Sequence, residues 1–72
     1  MELSDYLRSL KDQQRQALAI AAGTKVGYLY QLAGGHRRPS NDLALRIEEA
    51  SGGVVTREEL LPEFFKRRPE AA

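Results

Sequence analysis

The sequence has no cysteine and no tryptophan, and its only histidine is His36. Without thiols there is no disulfide, no thiolate nucleophile and no thiolate metal ligand. A zinc site would need mostly carboxylates beside a single imidazole, against the usual preference for nitrogen and sulfur. Long apolar runs are also missing. The longest, Ala17–Ala22, is far short of the roughly 20 residues that span a bilayer. The opening Met1-Glu2-Leu3-Ser4-Asp5 lacks the basic and apolar regions of a secretory signal, so a cytoplasmic protein is expected. A chain of 72 residues buries only about 60% of its unfolded surface. It has room for one domain and no deep pocket. No enzyme, no cofactor and no small-molecule substrate are expected.

What is present points to a folded chain. Hydrophobic residues make up 42% and charged residues 29%, a balance typical of globular rather than disordered proteins. The net charge of +1 conceals a pattern. Residues 1–23 sum to zero. Residues 24–41 hold Lys25, Arg37 and Arg38 with no acid, and residues 42–72 sum to −2. A basic stretch free of acids attracts polyanions. The cancelling acids lie mostly in the C-terminal third, which is expected to face away from such a partner.

The apolar spacing is helical throughout. Leu3, Tyr6, Leu7 and Leu10 follow the i, i+3, i+4, i+7 rule of an amphipathic helix, with Ser4 or Asp5 as its cap. Lys11-Asp12 reads as a break. An alanine-rich helix then runs to Gly23, the residue type that ends helices in a left-handed turn. Thr24 is the expected N-cap of a third helix from about Lys25 to Ala33, stopped by Gly34-Gly35. After the loop His36-Arg37-Arg38-Pro39, Ser40 or Asn41 caps a fourth helix through about Ala50, striped by Leu43, Ala44, Ile47 and Ala50. Val54-Val55 is a short apolar pair, with a small strand as the alternative. Thr56-Arg57-Glu58-Glu59 is a capping box that opens a short fifth helix carrying Leu60 and Leu61. The expected organisation is one all-α domain over residues 1–65 and a flexible tail over 66–72.

The informative segment is Arg15 to Leu32. Ala19 and Gly23, with Leu29 and Leu32 beyond, suit two helices crossing steeply through a tight turn. That is the layout of the DNA-binding helix-turn-helix, whose second helix lies in the major groove. With Leu29, Leu32 and Ala33 inward, the opposite face presents Lys25, Val26, Gly27, Tyr30, Gln31 and Gly34. It carries no acid. Gly27 costs about 1 kcal/mol of helix stability relative to alanine, which suits a surface that another molecule must approach closely. Val26 can touch a thymine methyl and Gln31 can pair with adenine. Lys25 can reach guanine or phosphate. Tyr30 can meet a phosphate or sugar, and both tyrosines also suit partly buried positions. Arg37, Arg38, Ser40 and Asn41 sit where a loop and a helix start commonly meet the DNA backbone.

These residues resemble a known family. Gln14 through Thr24 and Leu29 through Gly34 resemble the helix-turn-helix of phage Cro and repressor proteins. Ile47 through Pro62, with Gly52-Gly53-Val54-Val55-Thr56-Arg57-Glu58 at its centre, is similar to the ending of YdaS-like, Cro-type regulators. Arg38-Pro39-Ser40 matches the loop before their fourth helix. Ser51 stands where that family usually has threonine, and Leu61 where it has arginine. The resemblance covers roughly residues 3–65. It implies a five-helix, lambda-repressor-like domain and a role in transcriptional repression in a phage or prophage setting. By position it puts base contacts on Lys25, Val26, Gly27, Tyr30 and Gln31. It puts a backbone contact on Gln14 or Arg15, to which Thr24, Tyr28, Arg37, Arg38, Ser40 and Asn41 are added.

The expected function is therefore sequence-specific binding of double-stranded DNA at a pseudo-palindromic operator. One such domain covers little DNA, so a homodimer is expected, with Phe64 and Phe65 either anchoring the dimer or completing the core. The alternative is a protein-interaction module, antitoxin-like or regulatory, that uses the same helical face.

Overall fold

The computed structural model describes residues 1–62. It is all-helical, with α1 at Leu3–Ser9, α2 at Asp12–Ala22, α3 at Val26–Ala33, α4 at Asn41–Ala50 and α5 at Arg57–Leu60. Among the described residues there is no strand, and Val54-Val55 lies in a bend. Phe64 and Phe65, the expected dimer anchors, lie outside the described residues. So does the expected boundary at residue 65.

Packing follows the apolar stripes. Leu3 and Leu7 of α1 are buried, and Tyr6 and Leu10 lean on the core at its edge. Leu18, Ala19 and Ala22 of α2 meet Leu29 and Leu32 of α3, and Leu43, Ala44 and Ile47 of α4 close the far side. The small Ala19 and Ala22 let the backbones of α2 approach α3 and α4 closely, and a larger side chain there would push the helices apart. Val55 and Leu61 complete the interior from the C-terminal segment. Leu61 does so from just beyond α5, not within it. Ile20 departs furthest from this pattern, lying on the outer face of α2 with 77% of its surface exposed.

The turn between α2 and α3 explains why Gly23 is where it is. Its φ is +74°, a left-handed conformation that strains any residue with a Cβ. The Gly23 N–H donates to the Ile20 carbonyl at 3.0 Å and the Thr24 N–H to the Ala19 carbonyl at 2.8 Å. This is the Schellman ending, which satisfies carbonyls a helix leaves open. It also overturns the expected role of Thr24. That residue closes α2, and Lys25 is the N-cap of α3, with no side-chain capping bond. The same ending recurs after α3, where Gly35 has φ +79° and His36 N–H donates to the Gln31 carbonyl at 3.0 Å.

Other caps divide in the same way. Ser40 Oγ accepts from the Leu43 N–H at 3.1 Å, so Ser40 and not Asn41 caps α4. The Thr56–Glu59 capping box forms in both directions, at 3.0 and 3.3 Å. At α1 neither Ser4 nor Asp5 is the cap. Burial of Leu3 pulls the first turn back by two or three residues, and Glu2 is the N-cap. The break before α2 is shorter than expected, since Asp12 is already helical and Gln14 Oε1 accepts from the Lys11 N–H at 2.7 Å.

The chain ends of the fold are tied together. The Met1 ammonium donates to the Val54 carbonyl at 3.0 Å and to Glu59 Oε2 at 2.7 Å. That ammonium, and then the Thr56 backbone N–H, hold the Glu59 carboxyl below its ordinary range. Glu48 reaches from α4 to accept from the Arg57 N–H at 2.9 Å. Ser51 is buried, and its hydroxyl accepts from Val55 N–H at 3.1 Å while donating toward the Glu48 and Val55 carbonyls.

Candidate nucleic-acid interface

Burial of Leu29 and Leu32 fixes how α3 is rotated. Gly27, Gln31 and Gly34 are spaced by four and three residues, so they form one stripe. All three are exposed. Tyr30 flanks that stripe on one side and is 49% exposed. Tyr28 flanks it on the other, half-buried and packed on the core. Lys25 is exposed at the helix start.

A shallow concavity at the helix-turn-helix is lined by Gly23, Thr24, Lys25, Gly27, Tyr28 and Gln31. The fold thus brings five of the nominated residues to one surface. Val26 is a partial departure. Its side chain is half-buried and packs on the core, because one step along the helix from Gly27 turns it by about 100° toward Leu29 and Ala33.

Tyr30 opens onto a separate groove with Ser4, Leu7, Arg8, Arg15, Ala33 and Gly34. Arg15 is half-buried there and already engaged. Its Nε donates to the Leu7 carbonyl at 2.8 Å and its Nη1 to Asp12 Oδ1 at 2.7 Å. Arg8, by contrast, is exposed and pairs loosely with the similarly exposed Asp5, at 3.6 Å. Sequence reasoning did not place Arg8 beside Tyr30. It lies far from Tyr30 in the chain, and only the packing of α1 on α3 makes them neighbours.

Arg37 and Arg38 are exposed in the loop after α3, while Pro39 beside them is buried and anchors that loop. They line a depression with Glu2, Ser4, Glu59 and Leu60. For Glu59 this corrects the expectation that the acids of the C-terminal third face away. Glu59 shares a depression with the arginines, since α5 folds back toward the N-terminus. Asn41 is exposed in the first turn of α4, beside the capping Ser40. Gln14 is exposed at the start of α2.

A prophage transcriptional regulatory protein from Escherichia coli strain K12 is 31% identical to this chain over 62 residues. The match covers 86% of this chain and 94% of that relative. The chain belongs to this family of prophage transcriptional regulators. No protein-family model matches it. No group of three or more His, Asp or Glu suited to a metal ion occurs among the described residues of this family member. None of its described helices is long and apolar enough to cross a membrane.

Proposed function

We propose that this prophage regulator is a Cro-type repressor that binds double-stranded DNA sequence-specifically, with α3 in the major groove. The observation that carries the reading is the outward stripe of α3. A solvated helix face is normally rich in charge. This one sets Gln31 between two glycines and carries no acid, which suits the uncharged donor and acceptor pattern of base edges. Lys25, Gly27, Tyr30 and Gln31 read or approach the bases, with Val26 at the margin. Gln14, Thr24, Tyr28, Arg37, Arg38, Ser40 and Asn41 meet sugar and phosphate, joined by Arg8. Arg15 contributes its charge from a fixed position.

Two copies on half-sites about 34 Å apart read a pseudo-palindromic operator. Arg8, Lys25, Arg37 and Arg38 supply four phosphate-range cations per copy, so a bound dimer gives a log–log salt slope of about −7. The test is selection of bound duplexes from a random pool, followed by affinity measurement against salt. An enriched two-fold symmetric site with that slope supports the reading. No enriched site overturns it.

A second reading is favoured by Ile20. It stands exposed on an α2 face whose neighbours Gln13, Gln16 and Ala17 are uncharged, and an apolar residue so placed suits a protein partner. A partner held this way would show almost no salt slope.

A further inference from the structure

The outer face of α2 differs from the rest of the surface. Beyond Asp12 its exposed residues are Gln13, Gln14, Gln16, Ala17, Ile20 and Ala21, and none is charged. Arg15, the charged residue within that span, turns to the Leu7 carbonyl instead. Charged residues make up 29% of the chain, so a helix face more than two turns long without one is a departure. Ile20 stands up from this face as a knob, 77% exposed. Beside the face runs a shallow groove between helices. It is lined by Tyr6 and Leu10 from the α1 end, Leu18 and Ala21 of α2, and Ala50 of α4. None of its described lining residues is charged.

Position around the helix decides what such a face fits. At about 100° per residue, Ala17 lies at its middle, with Gln13 and Ile20 about 40° and 60° to one side. Ala21 and Gln14 lie about 40° and 60° to the other side, which is the side of the groove. Knob and groove therefore flank Ala17. A two-fold axis along the helix at Ala17 exchanges the two sides, and so sets Ile20 of each copy over the groove of the other. An interface between identical copies needs this self-complementarity. Charge agrees with it. A charged face laid on its own copy sets like charges together, which is costly, and this face has none to oppose. The small Ala17 lets two helices approach to about 8 Å, and glutamine amides both donate and accept, so they can bond their own images. We propose that the outer face of α2 docks a second copy of this chain, with Ile20 of each copy seated in the other's groove. The inference rests on the protein-partner reading of Ile20, which it supplies with a partner, and is independent of the DNA-binding reading. The face is about 14 Å long, at the small end for a specific interface, so the pair is weak and reversible.

The test is sedimentation equilibrium of the full chain up to about 1 mM protein, a range that reveals weak pairs. A dimer whose affinity holds between about 0.1 and 1 M salt is expected, because no ion pair carries it. Ile20→Glu should weaken that step at least tenfold, since each pair loses two buried isoleucines. Its melting midpoint in dilute solution should match the parent, because Ile20 is exposed. The chain has no cysteine, so Ala17→Cys supplies a single thiol on the axis, where a residue meets its own copy. Oxidised glutathione should convert that variant to a disulfide-linked dimer, and should leave Glu49→Cys, exposed on α4, largely uncrosslinked. A dimer indifferent to Ile20→Glu overturns the proposal, as does equal crosslinking of the two cysteine variants. A monomer at every concentration overturns it alone, since the salt slope described above still decides whether Ile20 meets a different protein.

Discussion

Replacing Arg15 by alanine separates a structural arginine from a phosphate-binding one. The Arg15 guanidinium bridges α2 to the end of α1 through the Leu7 carbonyl and to Asp12 within its own helix. A charge-assisted hydrogen bond contributes about 1.5–3 kcal/mol. The Leu7 carbonyl keeps a second donor, Leu10 N–H at 3.2 Å, so its loss leaves no orphaned acceptor and the lower end applies. The Asp12 carboxylate is 92% exposed, so that pair adds only a few tenths of a kcal/mol. The sum is about 2 kcal/mol, against roughly 4–10 kcal/mol for a whole domain of this size. The melting midpoint should fall by about 8–16 °C. The assay is thermal and urea unfolding by circular dichroism, at low salt and at about 1 M salt. Because the larger bond goes to a neutral carbonyl, most of the loss should survive high salt, where surface pairs are screened. Arg15→Lys keeps the charge but not the two-pronged geometry and should recover no more than half. An unchanged midpoint in Arg15→Ala would refute this reasoning, and so would a loss that vanishes at high salt.

Four further outcomes are expected. Gly27→Ala should raise stability by about 0.4–1 kcal/mol, read as a higher urea midpoint with an unchanged slope; a lower midpoint would contradict the open space around that position. Gly23→Ala should lower stability by about 1–2 kcal/mol from backbone strain alone, since its new Cβ meets only the flexible end of Arg46 at 3.8 Å. Ser51→Ala strands the buried Val55 N–H and should lower stability by about 1–3 kcal/mol, while Ser51→Thr keeps the hydroxyl and should restore most of it. Glu59, whose carboxyl is held below its ordinary range by the Met1 ammonium and Thr56, stabilises the fold above its unfolded value. That contribution is lost as pH falls through the folded value. A small acid-side loss in the parent, under about 1 kcal/mol because the site is exposed, should be absent from Glu59→Gln.

The interior was legible from the sequence because helix packing obeys a period that single residues cannot easily override. Leu3, Leu7, Ala19, Leu29, Leu32, Leu43 and Ile47 are read correctly from spacing alone. The capping box at Thr56–Glu59 and the left-handed Gly23 were legible for a similar reason, since each is a local hydrogen-bond or steric requirement. Thr24 was misread because two local roles compete for it. A residue whose N–H finishes one helix by bonding Ala19 is not placed to start the next. The site was legible as a stripe and illegible as a surface. Val26 and Gly27 are neighbours in sequence, and a rotation of about 100° gives one to the core and the other to solvent. Arg8 beside Tyr30, and Glu59 beside Arg37 and Arg38, are brought together only by tertiary packing, which a linear charge count does not contain.

The shared core of α2, α3 and α4 has one more consequence. Leu29 and Leu32 belong both to the reading helix and to the interior cluster, so α3 cannot loosen while the rest of the domain stays folded. On the proposed DNA-binding reading, the binding-competent fraction and the folded fraction of the free protein should follow one temperature curve. A domain of this size holds only a few kcal/mol in reserve, so modest warming depletes that competent pool, and bound DNA opposes the loss by stabilising the fold.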